Sequence, residues 1–276
     1  MLVPESAGLT DVGAKRKNNQ DAFLVDDALG LYVVADGMGG HRAGEVASAI
    51  VVKTLKDYLK RFQGEGVVEE MADADESLSR EANRLHAAIR LANGSVNALS
   101  RENPEYRGMG STVAAVMFTD ETIIAANVGD SPIYLVRGGV VADISTPHTV
   151  LAETGGYGPG KIGLEPSLYS HMLTRAVGVD ADVGVDLTEN QRFDGDMLIL
   201  CSDGLSNLVS PEEVLAKAAL APAVCCRELV DLALRRGGDD NITVVAVRSK
   251  RRCGVFSLVR RFLKRFLPGS GGLYRP

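Results

Sequence analysis

The chain has 276 residues, 45% apolar and 24% charged, with four cysteines and a formal net charge of −6. These values fit a globular protein of one large domain or two small ones, and the acidic body argues against nucleic acid as a partner. No paired Cys or Cys/His spacing suggests a disulfide framework or zinc site, no apolar run reaches the roughly 18 residues of a membrane span, and Met1 to Gly8 lacks a signal-peptide pattern, so the cytoplasm is the expected compartment.

Leu31 to Ala35 is a continuous apolar run stopped by Asp36-Gly37, which predicts a buried strand. Gly44 to Phe62 places Val46, Ala49, Ile50, Leu55 and Leu59 at helical spacing, and Asp75 to Arg101 does the same with Leu78, Leu85, Ile89 and Val96. The period then switches. Val113–Phe118, Ile123–Val128, Ile133–Val136 and Val140–Ile144 are β-rich runs between turn signals and predict an antiparallel meander. Residues 149–172 are rich in Gly and Pro, a long loop of the kind that carries function. Met197–Cys201 is a further strand, 211–219 and 223–236 are helical, and Ile242–Val247 is a last strand. Strands in hairpin order mixed with helix pairs argue for an α+β fold, with one domain over 1–249 and a tail over 250–276.

Three of the predicted strands carry an Asp at one end: Asp36, Asp203 and Asp240. Asp21 ends a polar run, and Asp130 follows the strand that closes at Asn127-Val-Gly. Each Asp-Gly pair alone is ordinary turn chemistry. As a set, carboxylates gathered on one edge repel unless cations lie between them, and hard cations such as Mg²⁺ and Mn²⁺ prefer oxygen ligands. The residues by themselves point to a carboxylate-rich hydrolase of divalent-metal type.

The motifs Arg16-Lys-Asn-Asn-Gln-Asp21, Asp36-Gly-Met-Gly-Gly-His41, Gly110-Ser-Thr112, Gly129-Asp-Ser131, Ser202-Asp-Gly204 and Asp239-Asp-Asn241 occur in order. Together they resemble the metal-dependent protein phosphatases of type 2C, in the bacterial branch. The resemblance implies a four-layer α-β-β-α sandwich of two antiparallel sheets flanked by helix pairs. It implies hydrolysis of phosphoserine and phosphothreonine esters by a water activated between two Mn²⁺ or Mg²⁺ ions, with a third ion as an option. In that scheme Asp36 bridges the two ions, the Gly37 carbonyl ligates one, and Asp203 and Asp240 complete the other. Asp21 acts through water, Asp130 with Asp203 marks the third site, and Arg16 holds the substrate phosphate. His41 is the candidate acid for the leaving alkoxide, although a turn histidine on the surface would look the same. His148 and His171, flanking the long loop, are candidate substrate contacts.

Gln20 and Pro132 depart from the family pattern, and the middle of the long loop, Glu153 to Lys161, is unusual. Two other readings remain at this stage, a phosphoprotein-binding regulator without turnover and a phosphatase of small phosphate esters. The implied partners are phosphoproteins made by a bacterial serine/threonine kinase, met by a monomer in signal transduction.

Residues 250–276 hold eight Lys/Arg and no Asp/Glu. Val255/Phe256, Leu258/Val259, Phe262/Leu263 and Phe266/Leu267 recur every three to four residues beside Arg260, Arg261, Lys264 and Arg265. That pattern over 250–267 predicts a basic amphipathic helix that docks on a membrane surface, on a partner protein, or on the chain's own acidic body.

Overall fold

A computed structural model of the chain describes residues 1–40, 43–63, 74–154 and 172–252. His41, His171, the middle of the long loop and the amphipathic tail fall outside the described residues.

Eleven strands and six helices are described: β1 (Leu2–Asp11), β2 (Asp21–Asp26), β3 (Leu31–Met38), α1 (Ala43–Lys60), α2 (Arg80–Glu102), β4 (Gly110–Ser111), β5 (Val113–Phe118), β6 (Thr122–Val128), β7 (Ile133–Arg137), β8 (Val140–Asp143), α3 (Val150–Glu153), β9 (Asp186–Gln191), β10 (Met197–Cys201), α4 (Asp203–Ser206), α5 (Pro211–Lys217), α6 (Pro222–Arg235) and β11 (Ile242–Arg251). One sheet runs β1-β11-β10-β7-β8, the other β2-β3-β5-β6-β9 with β4 on β3, and every pairing is antiparallel.

Side chains of a strand alternate between faces, and here both faces are buried. Leu31, Val33 and Ala35 of β3 and Val113, Ala115 and Met117 of β5 meet α1 and α2. The intervening Tyr32, Val34, Ala114, Val116 and Phe118 turn to the other sheet, where Leu198, Leu200, Val245 and Val247 face them. Met197, Ile199, Val244 and Ala246 point the opposite way, onto Leu229, Val230 and Ala233 of α6. Three apolar layers therefore separate helices, sheet, sheet and helices, and the predicted four-layer sandwich holds. Each fully buried Leu, Ile or Val in these layers contributes about 1.5–3 kcal/mol.

The meander is not one sheet. β5–β6 and β7–β8 are hairpins of different sheets, and residues 129–132 carry the chain across. Pro132, which has no N–H for a ladder, stands at that crossing. The second helix starts at Arg80, not Asp75. Asp75 accepts from the N–H and hydroxyl of Ser77 in a tight turn, and Ser79 caps the helix by accepting from Ala82 N–H at 3.1 Å. The strands β1, β2, β4 and β9 have no counterpart in the sequence reading. β1 and β2 are half-buried along their whole length and lack a clean alternation. The last strand continues to Arg251, pairing residue by residue with β1 as far as Leu2.

Candidate active site

The β2–β3 ladder sets Asp21 opposite Asp36, with β3 running on to Met38 beyond the sheet's edge. Asp36 is gripped from behind: its N–H donates to Thr112 Oγ1 at 3.0 Å, and its carbonyl accepts from Thr112 N–H at 2.8 Å. Thr112 Oγ1 also lies 2.7 Å from Ser131 Oγ, which ties the crossing that carries Asp130 to the strand that carries Asp36. The glycines permit close backbone approach. A Cβ on Gly37 would stand 2.0 Å from the Gly44 carbonyl oxygen, and one on Gly204 would stand 2.0 Å from that of Asn241.

From the other sheet, Ser202 and Thr243 both donate to Asp21 Oδ2, at 2.8 and 2.6 Å. Asn241 holds the loop of residues 12–20. Its Oδ1 accepts from Gln20 N–H at 2.8 Å, and its Nδ2 donates to the carbonyls of Val12 and Asn18 at 2.9 Å each. That loop brings Arg16 within 2.7 Å of Asp240 Oδ2.

The outcome is a cleft of about 510 Å³. Arg16, Asp36, Gly37, Asp130, Asp203 and Asp240 line it together. Asp21 lies behind Asp36, and its Oδ1 is buried with no hydrogen-bond partner. Burial, and then the charges of Asp21, Asp203, Asp240 and Asp130, push the Asp36 carboxyl well above the ordinary range. Burial likewise raises Asp21 to about 6 against the hydrogen bonds of Thr243 and Ser202. Asp21 and Asp36 resist ionisation first because they are buried and then because neighbouring carboxylates repel them, and cations held by this all-oxygen set would relieve that repulsion. Among the described residues no three acids, histidines or cysteines close around one point. Carboxylates spread over a shared cleft suit more than one ion, each completed by backbone oxygen and water.

The long-loop histidine does not behave as expected. His148 is fully buried, with Nδ1 accepting from Gly129 N–H at 3.0 Å and Nε2 3.3 Å from Asp186 Oδ2. That acceptor role fixes the proton on Nε2, and burial lowers the pKa against the pull of Asp186. His148 joins the loop base to the Gly129 turn and cannot touch substrate.

The roles of Thr243, Ser202, Thr112 and Asn241 escaped the sequence reading. Three of these four lie inside the quoted motifs, so a signal existed. Thr243 sits in a plain strand and carried none.

The protein phosphatase 2C family profile matches residues 13–228. The chain belongs to that family. It is 35% identical over 249 residues to the serine/threonine protein phosphatase PstP of Mycobacterium tuberculosis, covering 88% of this chain and 45% of that one. The chain thus spans about half the length of that relative. It is 32% identical over 246 residues to the serine/threonine phosphatase stp of Listeria monocytogenes, covering 86% and 93% of the two chains. The solved catalytic domain of PstP, in complex with two manganese ions, superposes with a TM-score of 0.74 at 32% identity, over 91% of this chain and 100% of that one. The sandwich of the 2C family is therefore this chain's fold, and its carboxylate cleft lies at one end of the two sheets.

Proposed function

We propose that this chain is a metal-dependent protein phosphatase that hydrolyses phosphoserine and phosphothreonine esters. The observation that carries the reading is the single cleft joining Asp36, Asp130, Asp203 and Asp240 to Arg16. Asp36 and the Gly37 carbonyl, with Asp203 and Asp240, would hold two Mn²⁺ or Mg²⁺ ions, Asp21 would orient water behind them, and Asp130 would serve a third. Bound there, the cations supply Lewis-acid activation of water and offset phosphate charge.

The chain's own groups do the rest. Arg16 is about half exposed at the cleft mouth, and its fork can leave Asp240 Oδ2 for two oxygens of a tetrahedral phosphate. Thr112, Ser202 and Thr243 fix Asp36 and Asp21 so that the acids need not reorganise during reaction. His41 would give its proton to the departing serine or threonine oxygen. No nucleophilic side chain is needed, since a water oxygen takes the phosphoryl group.

The test is a panel of phosphoserine, phosphothreonine and phosphotyrosine peptides against sugar phosphates and nucleotides, with Mn²⁺ present. Efficient release from the first two classes supports the reading. Efficient release from small esters alone makes the chain a small-molecule phosphatase, and binding of phosphopeptides without release makes it a regulator. Kinases that act on serine and threonine make such esters on proteins, so the proposed substrates are products of a kinase of that kind.

The tail extends the same reading. β11 starts at the cleft, just after Asp240 and Asn241, and runs for ten residues to Arg251. A basic amphipathic helix after it would hold a monomer peripherally on an anionic membrane. Among the described residues no helix is long and apolar enough to cross a membrane. Sedimentation with anionic vesicles at low salt should recover the full chain in the pellet and a chain ending at Arg252 in the supernatant. Equal recovery of both in the supernatant would contradict membrane docking.

A further inference from the structure

The cleft lining is mixed. Arg16, Asp203 and Asp240 line it, and so does the stretch from Met172 to Asp180, where the apolar Met172, Ala176 and Val179 stand beside Thr174, Arg175 and Asp180. Met38 joins the apolar part, and the Arg175 guanidinium is engaged by Asp186 and Glu153. Met172 and Val179 are 55% and 49% exposed, which is costly for apolar side chains unless something covers them in use. Lone exposed apolar residues are common on any protein, but these two line one cleft, the one that holds the carboxylates.

The apolar part of the lining is also built rather than accidental. Met38 is the last residue of β3, two residues beyond Asp36. A Cβ on Gly110 would stand 2.7 Å from Met38 Cε and 3.0 Å from Val179 Cγ2, so both side chains lie over the bare α-carbon of this glycine. The segment bearing Val179 is pinned to the body. Ser111 and Val177 exchange backbone hydrogen bonds at 3.0 and 2.8 Å, and Asn97 Nδ2 donates to the carbonyls of Gly178 and Val179 at 3.1 and 3.2 Å. Met172 is held through its carbonyl, which accepts from Val150 N–H at 2.9 Å. The surface therefore keeps its shape without substrate, which lowers the ordering cost of binding.

We infer that Met38, Met172 and Val179 form a specificity shelf that takes an apolar side chain next to the phosphorylated residue of a protein substrate. The inference rests on the phosphatase reading of the cleft and names the substrate class within it. With the phosphate drawn to Arg16 and the carboxylates, a neighbouring side chain of the bound peptide reaches the apolar part of the same lining. An apolar neighbour covers the shelf and leaves water. An acidic neighbour would leave the shelf wet and add charge to a cleft already crowded with carboxylates. The shelf should discriminate about tenfold in kcat/KM, the order that one or two buried methylenes give.

The test compares two phosphothreonine peptides that differ only in carrying Leu or Asp on both sides of the phosphorylated residue, with p-nitrophenyl phosphate as a third substrate. The wild-type chain should prefer the Leu peptide about tenfold. The near-isosteric double variant Met172→Gln, Val179→Thr should bring that ratio to about threefold or less, and a ratio within one protein cancels any general change in turnover. A wild-type ratio near one, with both peptides and p-nitrophenyl phosphate hydrolysed, overturns the shelf and leaves the phosphatase reading standing. An undiminished ratio in the double variant overturns the assignment to these residues. Hydrolysis of none of the three substrates overturns both readings.

Discussion

Asp21 and Asp36 face each other across the β2–β3 ladder, and their proton affinities make a testable statement about stability. Burial raises Asp21 from 3.8 to about 6 in the folded chain, while the unfolded chain returns it to the ordinary range. The folded state thus binds the proton more tightly, and stability falls as pH climbs from about 4 to about 6, the reverse of an ion-paired carboxylate. The loss from this one group is at most about 3 kcal/mol. Asp36 is shifted in the same direction. In excess chelator at pH 7, Asp36→Asn should therefore raise Tm, because the amide removes a buried and repelled carboxylate charge and keeps the shape. In Mn²⁺ the same variant should gain less stability from the ion than wild type does and should lose at least about a hundredfold in turnover. Thermal unfolding with and without Mn²⁺ checks the sign, and a lower Tm for the variant in chelator would contradict the repulsion account. Arg16→Ala should lower kcat/KM at least about tenfold with little change in Tm, since its exposed pair with Asp240 contributes little to folding. Unchanged kinetics would remove Arg16 from the phosphate site.

At the level of elements, the site is a set of strand ends held by hydroxyls and one amide. Asn241→Leu would break three hydrogen bonds to the 12–20 loop and leave the Val12 and Asn18 carbonyls unpaired, at a cost of about 2–4 kcal/mol. Thr112→Val should cost about 1–3 kcal/mol and also slow turnover, because it frees Asp36 from Ser131. Denaturant unfolding measures both. Asp36, Asp130 and Asp203 were legible because each follows a run whose apolarity marks a strand, as with Leu31–Ala35 before Asp36, and Asp240 because it precedes one. β10 and β5 were legible to the residue for the same reason. β1 and β2 were not, since their side chains are half-buried on both faces and their sequence alternates weakly. The meander was misassigned because hairpin spacing is the same whether a chain stays in one sheet or changes sheets, and only packing decides. His148 misled through its position beside the long loop. Its burial depends on Gly129 and Asp186, partners 19 and 38 positions away that no local pattern connects to it.

Over the whole molecule, three apolar layers carry stability while the cleft at one end concentrates repulsion, so the body and the site can be perturbed separately. Ending the chain at Arg252 should leave Tm and turnover within a few per cent, because β11 is then complete to its pair with Leu2. Ending it at Val247 should destabilise the domain, since it removes the β11 partners of Leu2, Val3, Pro4 and Glu5 and the Ser249 hydroxyl that accepts from Arg192. Equal stability of the two truncations, measured by thermal unfolding, would place no weight on the strand's last turns of ladder. The claim on which the rest depends is that catalysis needs cations in the carboxylate cleft. Phosphate release from a phosphothreonine peptide, followed as Mn²⁺ is titrated into chelator-treated protein, tests it most directly. The account predicts no turnover without the ion, saturable recovery in wild type, and almost none in Asp36→Asn. Full turnover in excess chelator, or equal recovery by the variant, would contradict it.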